Sequence, residues 1–239
     1  MKTLGFIGSG MIGSALARLA VAAGLDVVLS NSRGPETLAD LVGELGEHAR
    51  AATSDEAARA GELVVAATPV YAHARLPAEA LAGKTVIDTA NYYAQRDGRI
   101  AELDAGEVTS SVLVQRHLTD SYVVKAFNNI SCGHLSTRVA RPSGASDRSA
   151  LPIAGDDAAA KEQVARLLDV LGYDAVDIGT LADSWRMGHG SPVHVHPYLS
   201  TQPSGLSQEE TQRWFFENPG VPVPADRVKE LTERAVRGF

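Results

Sequence analysis

Short, unbroken apolar runs alternate with amphipathic stretches along most of the chain, as strands and helices do in a parallel sheet covered on both faces. Thr3 to Ile7 forms the first run, and after a glycine-rich turn Ile12, Ala15, Leu16, Leu19 and Ala20 recur at helical spacing until Gly24 supplies a stop. Asp26 to Ser30 then predicts a second strand and completes a βαβ unit. Pro35 opens a helix with the stripe Leu38, Leu41, Val42 and Leu45, and a short strand near Ala49 to Ala52 and a helix from Ser54 follow. Further strands are predicted at Leu63 to Ala67, Thr85 to Asp88 and Tyr122 to Ala126. Past a loop-like stretch at Pro142-Ser143-Gly144 come a strand at Leu151 to Ala154, a helix from Ala158 to Leu171 and a strand at Ala175 to Ile178. Ser207-Gln208-Glu209-Glu210 has capping-box form ahead of Trp214, Phe215 and Phe216, and a last helix is expected from Asp226 to Val236. The pattern predicts an α/β protein: a Rossmann-type doubly wound parallel sheet over residues 1–145, with a smaller C-terminal α/β segment and terminal helices over 146–239.

The turn after the first strand reads Gly8-Ser9-Gly10-Met11-Ile12-Gly13, the G-x-G-x-x-G spacing of a dinucleotide site. Gly8 permits the tight turn, Gly10 leaves the way open for a pyrophosphate, and Gly13 lets the helix pack closely on the sheet. Glycines at this spacing also occur in plain turns, so the flanking strand and helix carry the inference. Lys2 and Ala20-Val21-Ala22 imitate a secretory signal, but Arg18 and the glycines interrupt the apolar segment that such a signal needs.

After the second strand, where NAD enzymes usually place an Asp or Glu, the chain reads Ser30-Asn31-Ser32-Arg33. The missing carboxylate removes charge repulsion, and Arg33 can form charge-assisted bonds to a 2′-phosphate, so NADP(H) is preferred. The plainer alternative makes Asn31 a turn residue and Arg33 a solvated charge. Thr68 and Pro69 leave the ligand edge of the next strand and are a candidate wall for the nicotinamide. Asn91, Asn128 and Asn129 close two more strands at the same edge; each suits either a turn or a ligand contact, and together they favour one shared site.

Hydride transfer between two carriers fits this inventory, because the cofactor supplies the chemistry and the protein supplies distance, orientation and dryness. No side chain stands out as catalytic. A reductase of a small carbonyl or imine would need a placed proton donor, and no lysine or aspartate presents itself for that role in the sequence. A third alternative is an NADPH-binding redox sensor without turnover. His189, His194 and His196 cluster around Pro192 without a thiolate or carboxylate to complete a metal site, and no metal is expected. Cys132 beside His134 reads as a small buried residue.

The remaining composition narrows the setting. In 239 residues with a formal net charge of −7, neither a nucleic-acid nor a membrane partner is indicated, and no apolar run spans a bilayer. The single cysteine suits a reducing cytoplasm. The aromatic helix near the C-terminus needs covering, which points to a homodimer, although it can also pack on its own subunit. Arg138, Arg141 and Arg148 are candidates for an anionic tail on the second substrate, with solvated surface arginines as the ordinary alternative.

The chain resembles the NADP oxidoreductases that depend on the deazaflavin coenzyme F420, and is also similar to the cytosolic reductase domain of the STEAP metalloreductases. The resemblance rests on Gly8 to Gly13, Asn31-Ser32-Arg33-Gly34-Pro35-Glu36-Thr37-Leu38, Lys125-Ala126-Phe127-Asn128, Leu151 to Asp157 and Ser191-Pro192-Val193. It implies that Ser32 and Arg33 bind the 2′-phosphate and that Thr68 and Pro69 border the nicotinamide. It also implies that Asn128, Asn129 and Ile130 face a flavin-like partner in a pocket closed by Pro192. Archaeal F420 enzymes look like His-Thr-Ile-Pro in that segment, whereas this chain has Asn128-Asn129-Ile130-Ser131. The acceptor stays open among F420, a flavin and a small organic molecule.

Overall fold

The computed structural model describes residues 1–137, 141, 144–218 and 220–237. Its strands are β1 (Thr3–Ile7), β2 (Asp26–Ser30), β3 (Ala49–Ala51), β4 (Leu63–Ala66), β5 (Thr85–Asp88), β6 (Tyr122–Lys125), β7 (Ala150–Gly155) and β8 (Asp174–Asp177). They form one sheet in the order β3-β2-β1-β4-β5-β6-β7-β8. The strands from β1 to β6 pair in parallel. β7 runs antiparallel to β6, with Val124 opposite Gly155, and β8 is parallel to β7. The fold is Rossmann-like α/β, and its sheet continues from β6 into β7. The expected junction at Pro142-Ser143 lies outside the described residues.

Alternation along the strands sorts the core into two layers, as period-two side-chain geometry requires. Leu4, Phe6, Leu29, Val65, Ile87 and Val124 pack on one face with Leu16 and Leu19 of helix α1 (Met11–Ala22). Ile7, Val64, Val86 and Val123 pack on the other with Leu81, Val114 and Leu118. Every residue of β4 and β5 is buried, which explains why β4 is apolar throughout rather than alternating and why the polar Thr85 and Asp88 at the ends of β5 are hydrogen-bonded.

Side-chain caps fix several helix starts. Thr53 and Glu56 form a capping box ahead of helix α3 (Ser54–Ala60), which follows helix α2 (Ala39–Leu45), and Ser207 with Glu210 does the same for the helix Gln208–Glu217. Asp157 caps Ala158–Val170 through the Ala160 N–H. The helix carrying Trp214, Phe215 and Phe216 lies on its own subunit: a side chain at Gly133 would stand 2.6 Å from the Phe216 carbonyl oxygen. Phe216 itself remains 41% exposed. No described helix is long and apolar enough to cross a membrane.

Candidate functional site

Strand order reverses between β1 and β4, and in doubly wound sheets the crevice at such a switch point receives the ligand. Here the crevice is framed by the turns that leave those two strands. Gly8 has φ +101°, and a Cβ there would meet the Ala67 carbonyl oxygen at 2.3 Å. A Cβ at Gly13 would lie 2.0 Å from the Gly8 carbonyl oxygen. These two glycines are therefore required by the backbone itself. Gly10 differs: nothing lies within 4 Å of its missing Cβ. It is the N-cap of α1 and offers no capping side chain, and the first bond of the helix is Ser14 N–H to Gly10 O at 2.8 Å. The preceding amides and the positive end of the helix dipole consequently face an open space suited to an anion.

That space is a cleft of about 900 Å³, open to solvent, which brings together Gly8, Ser9, Gly10, Asn31, Ser32, Arg33, Thr68 and Pro69. Met11 stands 69% exposed at the helix start, and Ile12 turns toward the core. Asn31 organises the loop after β2. Its Oδ1 accepts from the Arg33 and Gly34 amides (2.8 and 3.0 Å), and its Nδ2 donates to Thr37 Oγ1 at 2.8 Å. With its polar atoms occupied in this way, Asn31 acts as a loop brace, and it is Ser32 and Arg33 that are left exposed on the cleft. The Arg33 guanidinium has no carboxylate in ion-pair range among the described residues.

A second cavity, about 1150 Å³ including its mouth, opens farther along the same sheet edge, and Asn91 lines this cavity rather than the nucleotide cleft. Tyr92, Ser110, Lys125, Trp185, His189 and Ser191 are among the residues lining it, and no Asp or Glu does. Asn91 and Asn128 cross-bond two strand-end loops: Asn91 Nδ2 donates to Asn128 O (2.7 Å) and Asn128 Nδ2 to Asn91 Oδ1 (2.9 Å) and Met187 O (2.8 Å). Asn129 is fully buried, its amide directed to Tyr198 Oη at 3.0 Å, and Ile130 is buried beside it. In this conformation Asn128, Asn129 and Ile130 knit loops together from inside and do not line this cavity, whereas Pro192 is exposed. Phe127 (φ 60°) and Val195 (φ 56°) hold left-handed backbone within these loops, joined through Val195 N–H to Asn129 O at 2.8 Å. For a β-branched residue such as Val195 this geometry is costly, roughly 1–3 kcal/mol, and the surrounding contacts must impose it.

Two groups that the sequence did not single out lie at the base of this cavity, Lys125 lining it and Asp88 buried behind Lys125. Register places Asp88 opposite Lys125 at the ends of β5 and β6, where Lys125 Nζ lies 3.0 Å from Asp88 Oδ2 and also donates to the Ala90 carbonyl. Ser111 Oγ adds a bond to Asp88 at 2.8 Å, and Ala90 N–H another at 2.9 Å. Burial alone would push the Asp88 carboxyl up, but the Lys125 ammonium and these donors hold it below the usual range. The parallel pairing of Asp88 with Lys125 was the available signal, and it appears only once strand register is known.

Arg148 is a correction to the sequence reading. Its guanidinium is buried between Asp169 (2.9 Å) and Asp174 (2.8 Å) and is closed off from an anionic tail. Arg141 pairs with Asp147 at 2.7 Å, and Arg138 lies outside the described residues. His189 and His194 pack edge to face with centroids 5.2 Å apart, and burial drives His194 down to about 4, so its ring is neutral at pH 7. Among the described residues no group of three His, Cys, Asp or Glu side chains could hold a metal ion.

Comparison with known proteins agrees with this geometry. The model of the family described as NADP oxidoreductase, coenzyme F420-dependent, matches residues 3–92. The crystal structure of hypothetical protein SMa0349 from Sinorhizobium meliloti is similar with a TM-score of 0.71 at 31% identity, over 81% of this chain and 93% of that one. A protein from Arthrobacter sp. FB24 assigned as an F420-dependent NADP reductase gives 0.63 at 29% identity, over 77% and 87%. Pyrroline-5-carboxylate reductase from Coxiella burnetii shares the fold, with a TM-score of 0.54 at 18% identity over 79% and 64%. No curated protein sequence matches the chain.

Proposed function

The chain belongs to the family of coenzyme F420-dependent NADP oxidoreductases, and from that premise we propose that it exchanges hydride between NADP(H) and F420 or another flavin-like acceptor. One observation carries the reading: the uncapped start of α1 and the loop with Arg33, which has no carboxylate at the end of β2, open on a single cleft. Gly10 leaves room there for the pyrophosphate, while Ser32 and Arg33 meet the 2′-phosphate. Thr68 and Pro69 border the nicotinamide, and Asn91, held by Asn128, lines the second cavity, where the acceptor would lie. NADP(H), when bound, supplies or takes the hydride at nicotinamide C4. The protein's task is to hold the acceptor at near-contact distance, roughly 3–3.5 Å between reacting atoms, and to keep water out. Lys125, which lines the second cavity, adds no uncompensated charge there because Asp88 pairs with it. The exposed Phe216 face supports a homodimer as part of the same proposal, and a cytoplasmic setting accords with the single cysteine.

Lys125 on the cavity floor favours one second reading, direct reduction of a small carbonyl or imine, because it is an ammonium near the acceptor position. Anaerobic oxidation of NADPH by the purified protein, with F420, FAD, FMN and no acceptor in parallel, separates the two. Turnover with F420 or a flavin is expected. No turnover with any of them, alongside turnover with a cyclic imine or 2-oxo acid, would replace the first reading by the second. Tight NADPH binding without any acceptor-dependent oxidation would instead favour a sensor.

A further inference from the structure

Arg75 plays no part in the reading above, yet it lines the nucleotide cleft together with Ser32, Arg33 and Ser54. It ends the short helical turn Val70–Arg75 that follows β4. Because β2 and β4 flank β1 on opposite sides, the loop carrying Arg33 and the turn carrying Arg75 approach the α1 N-terminus from opposite walls.

Five described arginines have no carboxylate in ion-pair range, and Arg33 and Arg75 are the two of them that line this cleft. Eleven of the sixteen described arginines are ion-paired with a carboxylate. Neither arginine of the cleft is, although the chain carries a net charge of −7 and carboxylates are plentiful. Arg75 rests only near Tyr71, its guanidinium carbon 5.9 Å from the ring centroid, and Tyr71 is itself 54% exposed on the cleft. Two unpaired guanidiniums lining one crevice of an acidic protein make that crevice suited to an anion.

Charge balance identifies the anion. A phosphate monoester at pH 7 carries roughly −1.5 to −2, so one guanidinium leaves about half to one charge unanswered. Glu36 deepens the deficit, because its carboxylate lies over Gly34, only 2.3 Å from where a Cβ on that residue would stand. A second cation restores neutrality. We propose that Arg75 is the second cationic contact of the 2′-phosphate, closing on it from the wall opposite Arg33, and that the pair sets the preference for NADP(H) over NAD(H).

This inference rests on the nucleotide reading of the cleft, and calorimetric titration with NADPH, NADH and 2′,5′-ADP tests the two separately. Arg75→Ala should weaken NADPH and 2′,5′-ADP by about tenfold or more, the scale of a lost charge-assisted contact, while NADH changes by less than about threefold. Arg75→Lys should recover part of the loss, because it restores the charge without the planar fork. Arg33→Ala should show the same selectivity. Arg75 is exposed, so a thermal melt matching wild type is expected for each Arg75 variant. Equal losses for NADPH and NADH in Arg75→Ala would make the side chain an adenine platform and overturn the proposal, as would no loss at all. If wild type and Arg33→Ala alike fail to distinguish NADPH from NADH, the 2′-phosphate reading itself falls and takes this inference with it.

Discussion

The two ends of the ligand edge are built from different materials. At the nucleotide end, backbone makes the site: three glycines, the uncapped start of α1 and a loop braced by Asn31 leave Ser32 and Arg33 exposed. At the end where we propose that the acceptor binds, side chains make it: the Asp88–Lys125 pair, the Asn91–Asn128 cross-bonds and two strained loop residues hold together the loops around the cavity. A phosphate is recognised through fixed N–H groups and charge, which a turn can supply locally. A planar acceptor must be held at a set distance, and that demands loops pinned to one another across long stretches of chain.

The strongest test of this contrast removes the pin at the acceptor end. Lys125→Met deletes one partner of a pair whose side chains are 3% and 0% exposed, leaving the buried Asp88 carboxyl without its cation. Breaking a buried pair from one side costs about 3–5 kcal/mol. Urea denaturation should show a loss on that scale, and the double variant Asp88→Asn with Lys125→Met should recover part of it by removing the stranded charge. A loss below about 1 kcal/mol, within the range of exposed pairs, would mean that the pair does not secure the loops.

Next in size is the nucleotide end, where two glycines of one motif should fail in different ways. Gly13→Ala drives a methyl group to 2.0 Å from the Gly8 carbonyl oxygen, so the turn must distort, and both thermal stability and NADPH binding should fall. Gly10 has φ −79° and free space around it, which alanine accepts. Gly10→Ala should therefore melt close to wild type while binding NADPH about tenfold or more weakly, a loss of roughly 1.4 kcal/mol or more, because the methyl group occupies the phosphate's approach. Unchanged NADPH affinity in Gly10→Ala would place the pyrophosphate elsewhere.

The same contrast explains what the sequence disclosed. Strands β1, β2 and β5 fall at the residues their runs predict, and β4 and β6 lie within a residue, because each signal is contained in a handful of neighbours. The Ser207 capping box was legible for the same reason. The antiparallel entry of β7 was not, since an apolar run carries no mark of its direction. Nor was the Asp88–Lys125 pair, whose members stand 37 residues apart and meet only through register. Asn128 and Asn129 show the limit most clearly: an amide that binds a loop and an amide that binds a ligand are the same letter. Arg148 looked like a surface charge until Asp169 and Asp174 closed on it from a later helix and strand.

The smallest expected effect concerns His194, which lies 3.3 Å from Asn91 Nδ2 beside the second cavity. Burial, with His189 and His196 adding to it, lowers this ring from its ordinary 6.5 to about 4. The unfolded chain thus takes up the proton first as pH falls. His194 contributes its full stability above about pH 6.5 and loses it progressively between 6.5 and 4. Buried His73 is lowered too and acts in the same direction, whereas carboxylates held low, such as Asp97 and Asp183, act at more acidic pH. Melting curves at pH 7, 6, 5 and 4.5 should show Tm declining in wild type and declining less in His194→Asn, which has no proton to take. Because His73 and the carboxylates are common to both proteins, the difference between the two slopes belongs to His194. Parallel slopes would mean that its ring is as free to protonate in the folded protein as in the unfolded chain, and that the acceptor wall is wetter than its packing indicates.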